Sequence, residues 1–327
     1  MEIDEIKLNE QRQIFSEMIH GFKEYEETIF APSPVIWSAL SDRFTEDINN
    51  FGIGDFQADY KNDFFGTTFG FGSTITPGRT TEFDSMLWSV WNNILERDSK
   101  ISKKLGIESI VSRTMPLETS PNRTLDPSKI SGRPGRGMKD VPINWDYLFS
   151  LDTILYISER IPEILTGSVA VCELGAGWGR IAHYLSQINP KIRYYIFDIP
   201  TSLIVSYCYL KDSGANVHDF SITKSSEFND LRDPGIYCML SGDLDKIRGK
   251  EFALFVNQAS FQEMTPEQVS GYFDIIDRTS ENFYTFQRYM DLSMSYESYP
   301  VKNNWEVISD GDSIFNPLWF EQFIKIN

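Results

Sequence analysis

The chain is poor in the residues that build metal and redox centres. Its 327 residues include only three histidines and three cysteines. Cys172, Cys208 and Cys238 stand far apart, and neither they nor His20, His183 and His218 fall at metal-ligand spacing. That pattern predicts no metal site and buried thiols in a reducing compartment. Positive charge is also scarce: 30 Lys and Arg stand against 47 Asp and Glu, a formal net charge of -17. Neutralising phosphates needs a clustered basic surface, so no nucleic-acid partner is expected. No apolar run approaches the roughly 18 residues that span a bilayer. The start, Met1-Glu2-Ile3-Asp4-Glu5, has neither the basic flank nor the apolar stretch of a secretion signal. The expectation is a cytoplasmic protein without a membrane partner.

What the chain does have is core-forming material, with 41% hydrophobic and 14% aromatic residues. Residues 1–112 read as a mainly helical N-terminal domain. Ile14, Phe15, Met18, Ile19 and Phe22 recur at helical spacing, as do Val35, Ile36, Leu40, Phe44 and Ile48. The stripe Phe83, Met86, Leu87, Val90, Trp91, Ile94 and Leu95 predicts a long amphipathic helix facing a core. Between the last two, residues 51–79 interleave glycines with Phe51, Phe56, Phe64, Phe65, Phe69 and Phe71. This reads as an ordered loop folded on something apolar, with the wall of an acceptor pocket as the functional alternative. Residues 113–143 mix prolines and glycines with Arg113, Arg123, Arg133, Arg136 and Lys139. They form a linker or a lid able to neutralise an anionic substrate.

From residue 144 to 327 the pattern alternates strands with helices. A helix at 146–160 precedes the apolar run Val169-Ala170-Val171-Cys172, a glycine-rich turn and a helix at 179–187. Strands at 192–197, 236–240, 252–256 and 283–286 follow, with helices at 201–211 and 265–278 between them and two closing strands in the tail. Thr265-Pro266-Glu267-Gln268 carries a helix-capping signature. Such alternation predicts an α/β fold with a doubly wound, mainly parallel Rossmann-like sheet.

Ligands of such sheets bind at the carboxyl edge of the strands. There lies Glu173-Leu174-Gly175-Ala176-Gly177-Trp178-Gly179. A dinucleotide fingerprint would need a further small residue, and position 180 is Arg180. A phosphate loop would end in Gly-Lys-Ser/Thr, which is absent here. Asp198 ends the second strand, where a carboxylate can accept hydrogen bonds from ribose hydroxyls, and Asp243 follows the third, where it can accept from an adenine amine. Three carboxylates on three successive strand tips suit a ligand with a ribose, an amino-bearing base and a cationic sulfonium. They would repel pyrophosphate.

Val171 to Arg180, with Phe197-Asp198-Ile199-Pro200 and Asn257-Gln258-Ala259-Ser260-Phe261-Gln262-Glu263-Met264, resembles class I S-adenosylmethionine-dependent methyltransferases, and more narrowly a bacterial sugar O-methyltransferase family. Ala176 and Trp178 depart from the glycine and tyrosine common there. The resemblance implies a methyltransferase sheet with S-adenosylmethionine as cofactor, held by Glu173, Gly175, Ala176, Gly177, Trp178, Gly179, Asp198, Ile199, Asp243, Asn257 and Gln258. Trp178 would stack near the cofactor. The acceptor would be a hydroxyl of a sugar or glycosylated small molecule, nucleotide-linked acceptors included. Glu263 is the first candidate for general base, His218 the second, and Gln262, with Ser260, a candidate for orienting the hydroxyl. Another small-molecule acceptor, a non-catalytic cofactor-binding scaffold and a homo-oligomer remain open alternatives.

Overall fold

The computed structural model describes residues 5–32, 42, 45–46, 48–49, 81–114, 145–290, 294–315 and 317–327. The phenylalanine- and glycine-rich loop at 51–79, nearly all of the linker at 113–143 and most of the helix expected at 35–48 lie outside these residues.

Seven strands form one sheet: β1 Ala170–Leu174, β2 Arg193–Asp198, β3 Gly235–Leu240, β4 Leu254–Gln258, β5 Asn282–Arg288, β6 Trp305–Asp312 and β7 Trp319–Ile326. Their order is β3-β2-β1-β4-β5-β7-β6. The first five pair in parallel, while β7 runs antiparallel to both β5 and β6. The expected doubly wound α/β fold is therefore present. The order reverses between β1 and β4, the switch point where the loops leaving the two strands diverge and open a crevice.

Among the described residues the α-helices are α1 Glu5–Phe22, α2 Thr81–Leu105, α3 Ile110–Arg113, α4 Trp145–Ser158, α5 Arg180–Ile188, α6 Pro200–Asp212, α7 Phe220–Ser225 and α8 Pro266–Thr279. β1, β3 and β4 are buried along their whole length, which is why they read as unbroken apolar runs. α4 is the central helix, with Leu148, Leu151, Ile154 and Leu155 fully buried and Ser150, Asp152 and Thr153 buried beside them. α2 lies on α4 through Trp91 and Tyr147, whose ring centres are 6.3 Å apart. Val90, Trp91 and Ile94 are buried as the stripe predicts, but Leu95 is 38% exposed. Among the described residues no helix is long and apolar enough to cross a membrane.

After α1 the chain crosses the carboxyl edge of the sheet. Tyr25 OH donates to Asp243 Oδ1 (2.9 Å), Ser241 Oγ to Phe30 O (3.2 Å), and Gln268 Nε2 to Ile29 O (3.0 Å) and Ala31 O (2.9 Å). Gln268 also closes the predicted capping box of α8, its Oε1 accepting from the Thr265 amide at 3.1 Å. One side chain therefore starts a helix and fastens the N-terminal arm. Gly242 makes room for this arm, because a Cβ there would run into the Tyr25 ring. Gly242→Ala is expected to cost about 1–3 kcal/mol by overpacking. Thermal unfolding should show a lower midpoint, and proteolysis faster cleavage around residues 23–32. An unchanged midpoint and cleavage rate would contradict this packing.

Candidate functional site

The glycine turn joins β1 to α5. Gly175 (φ 73°), Gly177 (φ 61°) and Gly179 (φ 83°) are all left-handed, a conformation that costs an L side chain roughly 1–2 kcal/mol. Space is restricted as well: a Cβ on Gly175 would collide with Ser260 Oγ, and one on Gly179 would lie 2.8 Å from Leu210 Cδ1. The turn is fixed by Gly175 N–H donating to Phe197 O (3.0 Å) and Gly179 N–H to Ala176 O (3.0 Å).

Asp198, at the tip of β2, is tied to this turn. It accepts from the Ile199 amide (2.8 Å) and Ser202 Oγ (2.8 Å), and the amides of Gly177 and Ala176 also bond to it. Burial pushes its carboxyl up to about 7 against the pull of these four donors. Glu173 lies on the same sheet face, since it is level with Ile196 and side chains alternate along β2. It is 2% exposed and accepts from Tyr194 OH at 2.7 Å. Burial pushes Glu173 up to about 7, the Tyr194 hydrogen bond and the Arg180 charge pull it back, and the Asp198 charge adds to the rise. Two strand-tip carboxylates and the glycine turn are thus brought together. Ile199 and Ala176 sit buried among them.

Arg180 opens α5 and is 8% exposed. Its Nη2 donates to Gln258 Oε1 (2.9 Å), and its guanidinium carbon lies 4.3 Å from the centre of the Phe149 ring. Gln258, expected to touch a cofactor, is turned instead into the protein. Its Nε2 donates to Thr153 Oγ1 (2.8 Å) and Tyr284 OH (3.3 Å), and Tyr284 OH donates to Glu321 Oε1 (2.6 Å). Nearby, Asp152 pairs with Arg97 of α2, which also bonds Glu159 at 2.9 Å. Burial raises the carboxyls of Asp152 and Glu321, and the Asp152 charge raises Glu321 further. A buried polar chain therefore runs from the glycine turn beneath α4 to the antiparallel edge of the sheet.

At the tip of β4, Ala259 holds φ 56°, a left-handed conformation that non-glycine residues rarely adopt. Asn257 is fully buried and fixes this corner. Its Nδ2 donates to Leu174 O (3.0 Å), while Oδ1 accepts from the Phe261 amide (3.1 Å) and Gln287 Nε2 (2.6 Å). Gln262 is 6% exposed and accepts from the Arg288 amide at 3.2 Å. Both were expected to face ligands, and both are engaged in holding the loop. Glu263 sits half-buried in the one-turn helix Phe261–Glu263, next to Ser260, which touches Gly175.

Three further residues expected at the site are placed as follows. His218 does not reach the crevice. It stacks on Tyr237 with ring centres 4.0 Å apart and packs beside Gly235, where β3 begins, at the opposite end of that strand. Trp178 is 1% exposed and meets Tyr209 edge-on at 4.7 Å, so its ring faces the core rather than a ligand. Asp243 is drawn to the N-terminal arm: besides Tyr25, Lys246 Nζ (2.9 Å) and the Leu240 amide (3.2 Å) donate to it. His183 is a buried core residue whose imidazole burial pushes down to about 4. Among the described residues no group of three or more His, Cys, Asp or Glu could hold a metal.

No family model and no curated protein matches the chain in sequence. Similar solved structures include magnesium protoporphyrin IX methyltransferase from Synechocystis with bound S-adenosylhomocysteine, 12% identical, covering 59% of this chain and 91% of that one at a TM-score of 0.40. An S-adenosylmethionine-dependent methyltransferase from Clostridium acetobutylicum is 11% identical, with coverage of 54% and 90% and a TM-score of 0.38. Mitomycin 7-O-methyltransferase is 11% identical, with coverage of 55% and 57% and a TM-score of 0.33. At such values the activities of those proteins stay with them, and the reading of this chain rests on its own residues.

Glu173 gives the site a signature in pH. Its carboxyl titrates near 7 when folded against an ordinary 4.5, so the folded state keeps a proton that the unfolded chain releases. The stability this contributes is complete below about 4.5 and is lost as pH rises to about 7. Glu173→Gln removes the buried charge and should raise stability at pH 8, on the order of 2 kcal/mol, while changing little at pH 4.5. Denaturant midpoints at the two pH values test this. A variant less stable than the parent at pH 8 would contradict it.

Proposed function

We propose that the chain is an S-adenosylmethionine-dependent methyltransferase that methylates a hydroxyl of a sugar or glycosylated small molecule. The observation that carries the reading is the pairing of the left-handed glycine turn with Asp198 and Glu173 at the switch point of the sheet. The turn keeps side chains out of the crevice, so a ligand can approach the main chain. A carboxylate has about four acceptor positions, and the Ala176, Gly177 and Ile199 amides and Ser202 Oγ already use them, so a ribose hydroxyl on Asp198 would take the place of one of these donors, with the Ser202 hydroxyl the side chain able to turn away. Glu173 supplies negative charge beneath the place where a cationic donor would rest. The residues present therefore fit the cofactor, whereas two acids and a bulky Arg180 suit a dinucleotide pyrophosphate poorly.

S-adenosylmethionine supplies an electrophilic methyl group on a sulfonium. The chain's own residues must align the acceptor and take its proton. Orientation alone can be worth effective molarities of about 10⁵ to 10⁸ M, and the corner fixed by Asn257, Gln287 and Gln262 holds the loop that would supply it. Glu263 is assigned as the base: its carboxylate would take the hydroxyl proton while the acceptor oxygen bonded to the methyl carbon and the methyl–sulfur bond broke, the electron pair staying on sulfur. Gln262 acts by positioning this loop. The acceptor is assigned to the side where the N-terminal arm, residues 23–32, crosses the carboxyl edge of the sheet.

Calorimetry should show binding of S-adenosylhomocysteine and none of NAD, with Asp198→Ala abolishing the former. Binding of NAD alone would overturn the reading. With a panel of nucleotide sugars and glycosides, mass spectrometry should show gain of one methyl. Glu263→Gln should then lower kcat by roughly 10² to 10⁴ with S-adenosylhomocysteine affinity unchanged. Full activity in that variant would remove Glu263 as the base.

A further inference from the structure

We infer that the cleft between α1 and the helices α6 and α7 is a second binding site, built for a small organic cation with an apolar body, such as an arylalkyl ammonium. The site is separate from the crevice above the glycine turn and does not depend on the donor reading. α6 begins at Pro200, close to Asp198, and is about 20 Å long, and its second half, Tyr207 to Asp212, is the part that lines the cleft. The cleft has a volume of about 310 Å³. That is roughly twice a cavity of about 150 Å³ that takes benzene, so one ring with a short chain would fill it. Its floor is apolar, with Ile14 from α1, Tyr207 and Cys208 from α6, and Phe220 from α7. Tyr207, Cys208 and Phe220 are buried.

The rim decides the sign of the ligand. It carries two lysines and three carboxylates. Lys7 Nζ pairs with Asp212 (2.6 Å) and Lys211 Nζ with Asp219 (2.5 Å). Lys211 is engaged further, lying 4.8 Å from the centre of the Tyr207 ring. Among the described residues, the exposed Glu10 makes no ion pair or hydrogen bond. Its carboxylate is therefore the charge left over, at the mouth of an apolar cleft in a chain of net charge -17. Such a field concentrates cations and turns anions away. An ammonium beside Glu10, with its hydrocarbon on Ile14, Cys208 and Phe220, matches both halves of the lining. Apolar walls with a few placed polar groups are the usual make-up of a small-molecule site. The walls are also held in place. Ser221 Oγ donates to Glu17 Oε2 (2.7 Å) and Lys224 Nζ to Glu17 O (3.2 Å), tying α7 to α1, while the Lys7–Asp212 pair ties α1 to α6. Spacing fixed before a ligand arrives lowers the ordering cost of binding.

The test uses phenethylammonium, 3-phenylpropionate and ethylammonium. The first two share a ring and a two-carbon chain and differ in charge, and the third keeps the charge without the ring. Calorimetry on the full-length chain should show phenethylammonium binding roughly tenfold or more tightly than either of the others. E10K should weaken phenethylammonium by about tenfold. E306K makes the same charge change on β6, six strand spacings or about 29 Å across the sheet from β3, against which α1 and α7 lie. At that distance salt screens the charge, and binding should stay within about twofold. No binding of phenethylammonium at millimolar concentration overturns the inference, as does equal binding of the anion. Equal binding of ethylammonium leaves a surface ion pair and no cleft site, and the inference falls. Equal losses in E10K and E306K would mean diffuse attraction to an acidic surface, and unchanged binding in E10K would put the cation elsewhere, such as beside Glu173 and Asp198. Either result overturns the assignment.

Discussion

The site depends on the left-handed turn between β1 and α5. Three glycines within five residues let the chain reverse tightly, bring the amides of Ala176 and Gly177 to Asp198, and start α5 at Arg180. Were the turn wider, Asp198 would lose its donors and Ser260 could not approach the backbone of Gly175. The tip of β2, the tip of β4 and the first residue of α5 therefore share one geometric origin. A crevice at the switch point follows from strand order, but its lining follows from this turn.

The lining opposes stability. Glu173 and Asp198 are buried acids at the same end of the sheet, and burial pushes both up to about 7. The Arg180 charge offsets that of Glu173 in part, at the cost of its own desolvation. A fold selected for stability alone would put apolar residues in these places, since replacing buried ions by well-packed hydrophobic groups is often neutral or favourable. The surrounding core absorbs the cost: Phe149, Tyr194, Ile196, Val256 and Tyr284 are buried around these groups. The strain at Ala259 lies at the same edge. Concentrating unfavourable groups at one rim is what a binding site requires and a scaffold does not.

Much of this was legible in the sequence because the signals are local. Gly175, Gly177 and Gly179 announce a tight turn by spacing, Thr265 to Gln268 announces the start of α8, and uninterrupted apolar runs announce parallel strands. Alternation of strands and helices announces a doubly wound parallel sheet, while the strand order, and with it the switch point, comes from the structure. What stayed hidden is the direction in which side chains point. Gln258 and Asn257 stand at a strand tip beside the site, yet neighbours in α4 and β5 capture them. His218 falls in the insertion between α6 and β3, where no periodic pattern fixes which end of the sheet it joins. Asp243 is taken by Tyr25, a partner 218 residues away in the chain. One signal was available and unused: Glu173, Tyr194, Gln258 and Tyr284 are polar residues in otherwise apolar strands. Strand alternation, together with the register, puts all of them on the face beneath α4.

The central claim is that the crevice above the glycine turn holds a nucleoside donor between Asp198 and Glu173. The most direct measurement is a crystal structure of the full-length chain grown with S-adenosylhomocysteine. The account predicts ribose hydroxyls on the Asp198 carboxylate, and the thioether over the turn formed by residues 175–179. Density for the ligand elsewhere, or a crevice closed by the chain's own side chains in the presence of excess ligand, would contradict it.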